Sequence, residues 1–153
     1  MQYRFLSKFS ISLFITLCLL SYAASSSAHD AGATMDAAGI SRTFTGVAIV
    51  TCFDDGNGPA EKLIAQIRDN SPSVPGLLVN LQIFKNNKAV SITDTVSGDA
   101  EYSPFVELHG GNGVYFVFVN KTDVGARDFD LTWHCLTEDD IHTGTEISVS
   151  QFN

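Results

Sequence analysis

The chain has 153 residues, 44% of them hydrophobic and 17% charged, and its 17 acidic residues outweigh 9 basic ones for a net charge of −8. That length and apolar content suit one domain with a core of its own and argue against a disordered chain. The negative balance excludes a general affinity for nucleic acid or anionic lipid and suits cations, basic partners or plain solubility.

Residues 1–28 read as a secretory signal. Arg4 and Lys8 supply a positive start, Phe9 to Leu20 an apolar stretch, and Ser26-Ser27-Ala28 a small-residue cleavage site. Cleavage after Ala23 is the alternative. The apolar stretch is too short for a convincing membrane anchor, and Leu17 before Cys18 is wrong for lipid attachment. The expected product is secreted or periplasmic, without a membrane segment once the signal is removed. Removing the first 28 of 153 residues leaves 125, with 7 basic residues against 17 acidic ones.

Residues 29–41, "HDAGATMDAAGIS", are small and polar, and the expectation is a flexible arm with little to bury. A β-sandwich domain is expected over 42–153. "FTGVAIVTCF" (Phe44 to Phe53) is apolar on both faces, as a central strand is, and stops at the turn cluster "DDGNGP". Residues 60–69 fit a strand through Leu63, Ala65 and Ile67. They also fit a short helix opened by Pro59 and Glu61, the strand being preferred. "LLVNLQIFK" alternates strictly, "NNK" is a hairpin turn and "AVSITD" the returning strand. "FVEL" is a short strand followed by "HGGNG" (His109 to Gly113), a tight glycine turn expected to form a hairpin. "VYFVFVN" (Val114 to Asn120) is strongly β-prone and must be buried or paired. "FDLTWHCL" turns Phe129, Leu131, Trp133 and Cys135 one way and Asp130, Thr132 and His134 the other, and "TEISVSQF" is a last strand.

Seven or eight short strands with glycine-rich turns indicate an all-β protein, an antiparallel β-sandwich. Cys52 and Cys135 are the two cysteines left after signal removal, and in an exported chain they most simply form one disulfide. It would close a loop of 84 residues, worth about 4.5 kcal/mol at the upper end of the chain-entropy model. The rival reading, a metal–thiolate site, lacks any Cys-x-x-Cys pair.

"GGNGVYFVFVNKT" and "GARDFDLTWHC" resemble the bacterial pre-peptidase C-terminal domains, small secreted β-sandwiches in which a Gly-x-Tyr-aromatic strand precedes an aromatic-x-Leu strand. The likeness covers about a third of the chain after residue 28 and implies a non-catalytic exported module. The architecture is also similar to immunoglobulin-like sandwiches, although Trp133 lies on a different strand from the tryptophan of antibody domains. His29, with "DDIH" (Asp139 to His142) beyond Trp133, resembles the CopC-type periplasmic copper carriers, which combine an N-terminal histidine with Asp-x-His in a small sandwich. The spacing from Trp133 is shifted, and the disulfide pair is additional.

Gly-x-Ser-x-Gly, His-Glu-x-x-His and a phosphate-cradling glycine loop are all missing from the sequence, so the reading leans away from an enzyme and names no catalytic residue. The leading expectation is a non-enzymatic module binding an exported protein, a glycan or a metal at its loops or an edge strand. The alternative is a copper-binding protein. Cleavage after Ala28 would free an amino group on His29, and His109, Asp140 and His142 could add an imidazole or a carboxylate. Polysaccharide monooxygenases also begin with histidine, but 125 residues is short for their binding face. Asp54, Asp55 and Asn57 offer hard oxygen donors to calcium, without the bidentate glutamate of a helix–loop–helix site.

Overall fold

The computed structural model describes residues 29–153, so the expected signal and its expected cleavage sites lie outside the described residues. Among the described residues nine strands form: β1 (Asp30–Met35), β2 (Thr45–Phe53), β3 (Lys62–Asp69), β4 (Val79–Lys85), β5 (Lys88–Thr93), β6 (Val106–His109), β7 (Gly113–Lys121), β8 (Arg127–Leu136) and β9 (Gly144–Phe152). They build two antiparallel sheets in the orders β1-β8-β3-β6 and β5-β4-β7-β2-β9. The protein is an antiparallel β-sandwich.

Period-two alternation decides which side chains enter the core. Leu63, Ala65 and Ile67 of β3 are buried and meet Cys135, Trp133 and Leu131 of β8 in register. Val79, Leu81 and Ile83 do the same from β4 in the second sheet. Within segment 60–69, Lys62–Asp69 is therefore a strand: its alternate residues face a second sheet, which a helix could not supply at period two. Cys52 on β2 and Cys135 on β8 form the expected disulfide, with Cα atoms 5.6 Å apart, and it joins the two sheets through the core. β7 is paired on both sides, with β2 and β4, so its backbone offers no free edge.

Residues 29–41 are not a free arm. Asp30–Met35 pairs with Arg127–Asp130, Leu131 and Thr132 of β8, and Met35 is fully buried. Beyond it the Lys121 ammonium donates to Asp36 at 3.0 Å, with side-chain exposures of 0% and 4%. The same ammonium donates to the carbonyls of Ser41 and Asp123. Asp36 also accepts the amide hydrogens of Ile40 and Ser41, each at 3.0 Å. Burying the lysine without this carboxylate would leave an unpaired charge in a dry site. The ion pair therefore fastens the segment after β1 onto the end of β7.

The expected hairpin at "NNK" forms with a two-residue loop, Asn86-Asn87, closed by Lys85 opposite Lys88, with Asn86 at φ 56 as a primed turn requires. "HGGNG" is not a hairpin. It carries the chain from β6 in one sheet to β7 in the other. The Lys85 ammonium holds this corner by donating to the carbonyls of Gly111 (3.0 Å) and Asn112 (2.6 Å) while it lies over the Tyr115 ring. β4–β5 is the single hairpin among the nine strands; every other connection crosses between sheets.

Candidate functional site

The sandwich is open along one side. β1 ends the first sheet and β9 the second, and among the described residues no strand pairs with the outer edge of either. Register with β2 puts Ile147, Val149 and Phe152 of β9 on the inner face, opposite Val50, Ala48 and Gly46. Inner-face residues of a sandwich are normally covered by the facing sheet. Here Val149 is 69% exposed, Phe152 40% and Ile147 37%. The cause is in the sequence of β1: across the gap stand Ala31 and Ala33, too short to reach them. An apolar cleft of about 290 Å³ results, floored by Val117, Val119, Phe129 and Leu131 and closed at one end by Trp133.

At that end three histidines meet. The Trp133 amide donates to the His29 carbonyl at 3.1 Å, which fixes residue 29 beside β8. An isolated bridge between Leu136 and His142 brings the loop after β8 back over the same spot. The ring centroids lie 5.2 Å apart for His29 and His142, 5.4 Å for His134 and His142, and 6.0 Å for His29 and His134. His29 also stacks against Trp133, at 6.1 Å and 24°. Burial, then the neighbouring His142, pushes the His29 imidazole below its usual value. Burial, then His142 and His29, does the same to His134. Both shifts favour the neutral rings of His29 and His134. His134 Nδ1 and His142 Nε2 are buried without a hydrogen-bond partner among the described residues. As the side chains stand, no group of three or more His, Cys, Asp or Glu among the described residues is placed to hold a metal ion.

The other residues singled out from sequence lie apart from this cluster. His109 sits on β6, at the far edge of the first sheet, with Nδ1 3.2 Å from Glu61 Oε1. Asp140 turns to Lys62, 2.7 Å away. Asp54 accepts the amide hydrogens of Gly56 and Gly58, and Asp55 accepts those of Asn57 and the Thr143 hydroxyl. These carboxylates serve the turn itself. Alternation puts His134 on the outer face of β8, and only the return of the chain at His142 and the docking of β1 bring it to His29.

A second apolar surface is the outer face of the larger sheet, where Phe84, Phe116 and Val114 are 37%, 38% and 45% exposed. The backbones of β4 and β7 beneath it are already paired. Comparison with protein-family models, with curated proteins and with solved structures finds no match.

Proposed function

We propose that this chain is an exported, non-catalytic binding module that takes an extended apolar segment of a partner protein into the cleft between β1 and β9. The observation that carries the reading is the uncovered inner face of β9, with Val149 at 69% exposure opposite the alanines of β1. An extended segment meets both demands of the site. Its alternate side chains fill the cleft, and its backbone pairs with a free strand edge, the mode known as β-augmentation. A nine-residue edge with apolar inward positions is a hazard if nothing covers it. Without residues 1–28 the chain carries 17 acidic residues against 7 basic ones, an excess that favours a neutral or basic partner over an acidic one. Export is supported by the leader-like composition of residues 1–28 and by a disulfide of the kind that persists in oxidising compartments.

A nine-residue peptide alternating valine and threonine, capped at both ends, is a suitable probe in titration calorimetry. The expected result is saturable binding of one peptide per chain, at least tenfold weaker in Val149→Lys. Equal binding by that variant overturns the reading. So does concentration-dependent dimerisation in sedimentation that Val149→Lys removes, since a second copy would then be the occupant.

A further inference from the structure

The histidine cluster has no part in strand capture, and its geometry carries a separate assignment. We propose that His29, His134 and His142 form a three-imidazole site for a transition-metal ion of the copper–zinc class. His29, just before β1, is remote in sequence from the other two, which come from the outer face of β8 and from the loop that follows it. Metal–nitrogen bonds of about 2.0–2.1 Å place each ring centroid about 3.2 Å from the ion, so three rings around it stand roughly 5.2 Å apart in a tetrahedral set and about 5.5 Å in a trigonal one. The observed separations are 5.2, 5.4 and 6.0 Å. The backbone has thus brought the rings to coordinating range.

The ring orientations have not followed. The His29 and His142 planes are within 25° of parallel, and the nitrogens do not converge on a point. Convergence asks only for side-chain rotation within the cluster, because the main chain is already held at Trp133–His29 and Leu136–His142. Two buried ring nitrogens without a hydrogen-bond partner among the described residues, His134 Nδ1 and His142 Nε2, give such rotation a gain. A buried polar atom left unpaired is costly, and a metal bond satisfies it. Neutral imidazole is the form that ligates, and it suits zinc and copper alike. Asp140 is turned away to Lys62 and His109 lies at the opposite sheet edge, so neither joins the set. Should the chain be cut after Ala28, the α-amino group of His29 becomes a fourth nitrogen.

The test uses the chain with its N-terminus defined by mass, titrated with zinc(II) in one arm and copper(II) in the other. Imidazole ring nitrogens are followed by NMR for zinc, and nitrogen coupling by electron paramagnetic resonance for copper. The expected result is one ion per chain in each arm, copper being held at least tenfold tighter. Ring signals of His29, His134 and His142 shift, and that of His109 stays. His134→Gln and His142→Gln each weaken binding tenfold or more, with the near-ultraviolet signal of Trp133 reporting an intact fold; His142→Leu replaces the glutamine variant if that one unfolds. Binding indifferent to all these substitutions, binding that follows His109→Gln instead, or no saturable binding in either arm overturns the site.

Discussion

Ala33→Ile tests whether the open side of the sandwich is real space. Ala33 lies opposite Phe129 in the β1–β8 register, so its Cβ points inward, and it is exposed because the cleft in front of it is empty of side chains. Isoleucine adds three carbons. Full burial of a CH₂ is worth about 0.8 kcal/mol, and the cleft leaves one flank open, so a net gain of about 1 kcal/mol is expected. Strand preference for a β-branched residue adds to it. For a domain of this size that raises the midpoint of thermal unfolding by roughly 3–5 °C. Gly46→Ala, on the opposite wall, has the opposite sign. A Cβ there would lie 2.7 Å from Val119 Cγ2 and 3.1 Å from Phe152 Cδ2, and overpacking of this kind costs about 1–3 kcal/mol. Urea unfolding of both variants beside the parent chain measures the difference. A destabilised Ala33→Ile, or a Gly46→Ala no weaker than the parent, refutes the reasoning.

Two further outcomes concern the bonds that hold the sheets and the first strand. Reduction of Cys52–Cys135 releases a loop whose ends are 83 positions apart; about 2–4 kcal/mol of stability should disappear, read as a fall in urea midpoint with reductant, while both thiols resist alkylation until the disulfide is reduced. Asp36 predicts an acid dependence. Burial pushes its carboxyl up, but hydrogen bonds from Lys121, Ile40 and Ser41 outweigh it and hold the group at about 2, below the ordinary 3.8. The folded state then binds protons less readily than the unfolded one. Its contribution is present above pH 3.8 and lost as the pH falls from there through about 2. Asp36→Asn should be less stable at neutral pH and should flatten the acid limb of stability against pH. An unchanged acid limb would show that the pair does not anchor β1.

The sequence was most legible where alternation was strong. β3, β4, β8 and the disulfide follow from apolar residues at period two and from an even cysteine pair. β1 was illegible because "DAGATM" has no apolar period; it becomes a strand through the free edge of β8 and through the partnering of Asp36 with Lys121, residues 85 positions apart. The same lack of bulk opens the cleft, so the feature that hid the strand also makes the candidate site. "HGGNG" carries the glycines of a hairpin, but pairing partners decide whether a turn closes a hairpin or a corner, and those are remote. His29 and His142 could be named from sequence as metal-competent residues. That they meet each other and His134, while Asp140 and His109 stay apart, depends on the bridge at Leu136 and the register of β1.

The open side is tested most directly by amide hydrogen exchange with and without the valine–threonine peptide, on the parent chain and on Ala33→Ile. Strand capture predicts that the peptide slows exchange at free edge amides of β1 or β9 in the parent chain and has no effect in the filled variant. Protection confined to the loops, or equal in the two proteins, would contradict it.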